Sequence, residues 1–347
     1  MKVLIVCHPR AEKATDDQRR FADLASELAK GGVEATVASI FEYDQFLTVL
    51  DQEKPDIVFP AIYFVKQPRG EKINITKLLD EWRMPYIGSD ARTLELVLVK
   101  SALKQLWQQN QVSTPEFCVI RKDEALQEKI DKLLEAAQFP LIIKPDTEGN
   151  SRGLDENSIV CSEDRLITKA KALLKFYDQI LVERYLGAAP DFREYTIALI
   201  GNGQGALFMP AQIKLKVMRK PRIVTTQDKD RHNTYAIPVC EPEIRDSLIA
   251  FGREAFAIAG VRDYARLDVM RANGKFYAIE INGQPMIPDK WFEACAQGIG
   301  LNKTQYLNAI FFAAIQRNIH AGYHHLKVPE KLNRLLPEEI RSFLASQ

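Results

Sequence analysis

The chain has 347 residues, 46% hydrophobic and 27% charged, which excludes a disordered or fibrous protein and implies two or three globular domains. A formal net charge of +1 gives no electrostatic bias toward nucleic acid or a membrane surface, and no apolar run approaches a bilayer span. The five scattered cysteines include no CxxC pair, which excludes the usual zinc and redox motifs.

Residues 3–7, Val-Leu-Ile-Val-Cys, read as a buried strand, too short for a secretory leader, so the expected compartment is the cytoplasm. A helix follows over 15–31 with apolar Phe21, Leu24, Ala25 and Leu28, stopped by Gly31-Gly32, and a second strand over 33–40. Residues 56–60 form a third strand and 75–83 a further helix. Strand–helix alternation predicts a parallel sheet covered by helices, so residues 1–92 are expected to be an open α/β domain.

One long helix over 93–109 carries Lys100. Strand 116–120, helix 123–137, strand 139–144, a polar glycine loop over 146–153, helix 164–176 and strand 179–185 then complete a small α+β unit, 93–186. Residues 187–320 read as antiparallel until their last helices. Strands 194–200 and 206–213 flank Gly201-Asn202-Gly203, and strands 266–270 and 275–282 flank Asn273-Gly274; both connections are hairpin signals. Helices follow over 291–298 and 305–318. The polar tail, 321–347, is an addition whose residues 338–344 are expected to form a short helix against the body or a second subunit.

The chemistry concentrates on Arg266-Leu267-Asp268 and Glu280-Ile281-Asn282. Residues two apart on a strand share a face, so a hairpin would gather two carboxylates, an amide and a guanidinium. Such a set is what Mg²⁺ takes when it also holds phosphates. A strict two-residue turn at Asn273-Gly274 would put Asp268 and Glu280 on different faces, so the site requires a three-residue loop or a bulge, with Gly274 suited to the positive φ. Taken alone, the hairpin is better explained as a polar pair facing solvent. Lys144 ends the apolar strand Pro140-Leu141-Ile142-Ile143, where a buried ammonium needs a partner such as a phosphate. The apolar run 180–186, with Glu194 beyond it, could offer a wall to adenine and an acceptor to ribose. Each also has an ordinary structural reading.

In this order and spacing, the motifs resemble the ATP-grasp superfamily and, within it, the D-alanine–D-alanine ligases, from the first strand to about Asn318. The resemblance implies an ATP-grasp fold, α/β and α+β, preceded by the open parallel domain. It implies ATP held by Lys100 and Lys144, with Glu183, Tyr185 and Leu186 at adenine and Glu194 at ribose. Asp268, Glu280 and Asn282 would bind Mg²⁺, or Mn²⁺ in its place. Arg266 would meet the transition state, Lys229 would close a mobile loop over the phosphates, and Ser151 would lie near the substrates. The implied reaction phosphorylates a small-molecule carboxylate, and an amine then attacks the acyl phosphate, releasing ADP and phosphate. A homodimer through the first domain is an inherited expectation.

The amino-acid pocket departs from the family pattern. Cys7-His8-Pro9-Arg10-Ala11-Glu12 replaces the first loop, leaving Glu12 for the amine; Tyr63-Phe64 replaces a His-Gly; and Gly283-Gln284-Pro285 follows the metal-binding asparagine, where the family carries a serine. Glu12, Tyr63, Gly283 and Gln284 are therefore the substrate candidates. These changes favour a ligase joining partners other than two D-alanines. Authentic D-alanine–D-alanine ligation is the alternative, and a non-catalytic nucleotide-binding regulator is the rival of another class.

Overall fold

A computed structural model describes residues 1–8, 14–147, 154–217, 228 and 233–346. Strand β1 (Lys2–Cys7) lies between β2 (Glu34–Ser39) and β3 (Ile57–Pro60), and both pairs are parallel. Val3, Ile5 and Cys7 pack with Phe21, Leu24 and Leu28 of helix α1 (Ala14–Lys30), whereas Leu4 and Val6 pack with Phe46, Ile75 and Leu79. Both faces are buried, which is why β1 reads as an unbroken apolar run rather than an alternating one. Helix α2 (Tyr43–Glu53), the hairpin β4–β5 (Phe64–Lys66, Lys72–Asn74) and α3 (Ile75–Glu81) finish this part.

The helix expected over 93–109 is two helices, α4 (Ala91–Leu98) and α5 (Lys100–Gln109), with Val99 extended between them (φ −103°, ψ 98°). The break comes from a distant residue. Asp146 accepts from the Lys100 N–H at its carbonyl (3.2 Å) and from the Ser101 N–H (2.8 Å) and hydroxyl (2.5 Å) at its carboxylate. It thereby caps α5 and satisfies the donors that a continuous helix would have satisfied.

A four-stranded antiparallel sheet follows, ordered β6 (Phe117–Arg121), β9 (Gln179–Arg184), β7 (Leu141–Pro145), β8 (Ile159–Val160). Helices α6 (Leu126–Ala136) and α7 (Glu163–Leu173) cover it. The second large sheet is ordered β12 (Thr234–Pro238), β11 (Leu207–Leu215), β10 (Arg193–Gly201), β13 (Asp263–Ala272), β14 (Lys275–Asn282), again antiparallel. Reading 187–320 as antiparallel until its final helices leaves out α8 (Pro242–Ala259), which crosses between β12 and β13 and packs Leu248, Ala255 and Phe256 under the sheet.

Helices α9 (Lys290–Gln297) and α10 (Lys303–His320) join the large sheet to the first one: Phe311 of α10 packs at a tilt against Phe59 of β3, ring centres 5.5 Å apart. The tail forms α11 (Glu330–Leu335) and α12 (Glu338–Ala345), and Leu326, Leu332, Leu336 and Leu344 are buried in that same shared core. Among the described residues, no helix is long and apolar enough to cross a membrane.

Candidate active site

The β13–β14 hairpin turns on two residues, with Asn273 and Gly274 both at positive φ (51° and 77°) and Ala272 opposite Lys275. The left-handed pair suits a tight hairpin turn, and the Asp191 carboxylate accepts both turn N–H groups at 2.7 and 2.8 Å. The bulge that the chemistry requires is therefore not at Gly274. Val269 pairs with Ala278 and Asp268 with Glu280, so Ile279 is the extra residue.

Its effect is to put two successive side chains on one face. Ala278 and Ile281 point into the core beneath, with Leu267 and Val269. On the opposite face, Ile279 and Tyr277 join Leu186, Phe192 and Ala272, flanked by Met270, in an apolar group. Beyond it on that face stand Asp268 opposite Glu280 and Arg266 opposite Asn282, all half-buried. Glu194 of β10 pairs with Met270 and Thr196 with Asp268, which brings Glu194 to the apolar end. One continuous face is thus apolar at one end and charged at the other, the division that a base and a polyphosphate require.

Asp268, Glu280 and Asn282 fit a hard divalent cation: two carboxylates and an amide oxygen on one face. Thr196 Oγ1 donates to Asp268 Oδ1 (3.2 Å), and the Gln284 N–H donates to Asn282 Oδ1 (3.2 Å), so both groups are held in orientation. No three His, Cys, Asp or Glu side chains converge among the described residues, and an amide as third ligand accounts for that. Bound here, Mg²⁺ or Mn²⁺ would supply charge to neutralise phosphate oxygens.

The facing wall carries lysines. Lys100, at the start of α5, lies 3.4 Å from Glu280 Oε2. Lys144 does not wait for a phosphate: its Nζ is 2.5 Å from Glu183 Oε1 on the neighbouring strand, and both are buried. A third lysine escaped notice in the sequence. Lys104, one turn after Lys100, is fully buried, with Nζ 3.0 Å from Glu183 Oε2 and 2.7 Å from Thr114 Oγ1. Burial alone would raise the Glu183 carboxyl, and the two ammonium groups overcome it and hold it well below the usual range. Glu183 therefore faces lysines first, which its expected place at adenine did not anticipate.

Tyr185 and Leu186 continue from β9 into the next segment. The Tyr185 ring lies so close to Gly187 that a Cβ there would fall 2.3 Å from the phenol oxygen, so any larger residue would displace the ring. Gly283 is similarly explained by packing, since a Cβ would meet Leu94 and Val97 of α4, each at 3.0 Å. Buried Gln284 donates from Nε2 to the Pro60 carbonyl (2.8 Å), tying the end of β14 to β3. Burial pushes the Tyr63 phenol well up, opposed by a hydrogen bond at the Gln284 backbone and assisted by the Glu280 charge. Tyr63 therefore lies against Gln284 and within electrostatic reach of Glu280. Glu12, Ser151 and Lys229 lie outside the described residues.

Lysines of α5 and β7 stand near the carboxylate and amide oxygens of β13 and β14, an arrangement suited to a triphosphate with its metal ion, and the chain is an ATP-grasp, ADP-forming ligase. Its fold matches the crystal structure of D-alanine–D-alanine ligase from Bacillus anthracis complexed with ATP, with TM-score 0.71 over 93% of this chain and 100% of that one, at 19% identity. The family model described as "D-ala D-ala ligase C-terminus" matches residues 106–310. The D-alanine–D-alanine ligase of Chromohalobacter salexigens is 31% identical over 245 residues, 70% of this chain and 72% of that one. The enzyme of the same name from Pseudomonas entomophila is 28% identical over 297 residues, 83% and 85% of the two chains. The chain belongs to the D-alanine–D-alanine ligase family.

Proposed function

We propose that this chain joins two D-alanines, consuming ATP through an acyl phosphate and releasing ADP and phosphate in the cytoplasm. The observation that carries the reading is the charged end of the hairpin face, Arg266, Asp268, Glu280 and Asn282, inside the stretch matched by the family model. Lys100 and Lys144 would engage the phosphates, Tyr185 and Leu186 the adenine, Glu194 the ribose and Arg266 the transferring phosphoryl group. Ser151 and Lys229 keep their implied roles near the substrates and over the phosphates, and Glu12 that of holding the amine. Retention of Arg266 with all three metal-binding positions favours turnover over a regulator that only binds nucleotide.

The changed pocket residues point toward other partners, but they weigh less than the shared name of the relatives. Gly283 is accounted for by its packing on α4, and Gln284 by its bond to Pro60. Neither must be a substrate contact. The test is phosphate release from ATP and Mg²⁺ with D-alanine, L-amino acids and larger carboxylic acids in turn. D-alanine is expected to drive turnover, and Asp268→Ala to lower it at least a hundredfold, about 3 kcal/mol of lost charge stabilisation. Turnover with another acid–amine pair and none with D-alanine would return the reading to altered partners.

A further inference from the structure

Glu183 is a carboxylate with both oxygens engaged: Oε1 by Lys144 and Oε2 by Lys104. The two lysines reach it from different elements, β7 and α5, and differ in access. Lys104 is fully enclosed, whereas Lys144 keeps 6% of its surface exposed. On the reading given above, Lys144 must turn to the nucleotide phosphates. If it were the only partner of Glu183, its departure would leave a buried charge uncompensated, a change that is strongly unfavourable. Lys104 removes that obstacle, because it stays when Lys144 moves.

Lys104 has a second attachment. It donates to Thr114 Oγ1, and Thr114 donates in turn to the Ala278 carbonyl (2.8 Å), while the Ala278 N–H donates to the Ser113 carbonyl (2.8 Å). Ala278 borders the bulge that turns Glu280 toward Asp268. One ammonium thus touches the small sheet through Glu183 and the metal-binding hairpin through Thr114. A helix lysine with no catalytic duty has no reason to be buried at this crossing.

We propose that Lys104 is a positioning residue of the nucleotide site: held in place by Thr114, it serves Glu183 as a standing counterion so that Lys144 is released to the phosphates. This rests on the proposed function only for the nucleotide, since D-alanine does not enter it.

The experiment measures the Kd for ATP with Mg²⁺ by calorimetry, without D-alanine, in four chains: wild type, Lys104→Met, Glu183→Gln and the double variant. In the wild-type background, Lys104→Met is expected to raise Kd at least tenfold, because Lys144 is then pinned as the sole partner of Glu183. In the Glu183→Gln background no carboxylate pins it, and the same change is expected to raise Kd threefold or less. Such a difference between backgrounds is a coupling that loss of packing would not produce. An equal factor in both, or no change in either, overturns the proposal. If Lys104→Met alone fails to fold while the double variant folds, the unpaired charge is the cause and the counterion role stands. If both fail, Lys104 is a packing residue and the proposal is wrong. A wild-type chain that binds ATP and turns over no D-alanine overturns the substrate reading alone. One that binds no ATP overturns both.

Discussion

Arg266→Lys is expected to lower kcat by about a thousandfold, roughly 4 kcal/mol of transition-state stabilisation, while the Kd for ATP changes threefold or less. The guanidinium is fixed in plane by three contacts. Its Nη1 donates to Asp289 Oδ2 (2.7 Å), its Nε lies 3.7 Å from Asp268 Oδ1, and its carbon sits 4.8 Å from the centre of the Trp291 ring. A lysine keeps the charge and loses the fork and the stacked plane, so it cannot hold both carboxylates while facing a phosphoryl group. The Arg266 side chain is only 13% exposed, so little water stands ready to replace it. An interaction made only as charge develops lowers kcat and leaves nucleotide affinity intact. Steady-state phosphate release and equilibrium ATP binding on the same preparation separate the two quantities. An equal loss in both would make Arg266 a ground-state phosphate ligand, and a kcat effect under tenfold would remove it from the reaction.

What could be read in advance follows from how local each cause is. Strand β1 was legible because burial on both faces leaves a continuous apolar run, and the tight turn at Asn273-Gly274 because its conformation suits those two residues. The need for a bulge was also legible, from the requirement that Asp268 and Glu280 share a face. Its position was not, since Ile279 is chosen by packing on Leu186 and Phe192, far away in sequence. The break at Val99 has no proline or glycine to announce it and is imposed by Asp146. Lys104 reads as one more helix lysine until strand pairing brings Glu183 beneath it. Helix α8 did carry local signals: Pro242 in its first turn and Gly260 at its end with φ +74°. The helix of the tail over 338–344 was legible, whereas Leu326, Leu332 and Leu336, spaced among polar residues, give no hint that they belong to a core completed by α10.

Asp263→Ala is expected to destabilise the chain by about 3–5 kcal/mol, the scale of breaking a buried ion pair from one side. Asp263 has no exposed surface, and Arg317 of α10 reaches it with Nη2 at 2.7 Å and Nε at 2.8 Å. Burial alone would lower the Arg317 pKa, and Asp263 overcomes it, so the ion pair is what keeps that charge tolerable. The carboxylate also accepts from the Gly88 N–H (2.7 Å) and Asn202 Nδ2 (3.1 Å), and Arg317 donates onward to the Tyr86 carbonyl (2.8 Å). Alanine therefore strands a guanidinium and a backbone donor together. It must also take up the left-handed φ of +64°, which asparagine accepts more readily. Asp263→Asn, retaining the turn and one of the two acceptor oxygens, and with it half of the donors, but not the charge, is expected to lose less. Urea denaturation of both variants distinguishes the contributions: equal losses would assign the cost to the charge, and a loss near zero for asparagine would assign it to the turn and its acceptors. Asp263 stands three residues before Arg266 on the same strand, so a chain that stays folded but loses turnover would show that this junction also sets the position of β13.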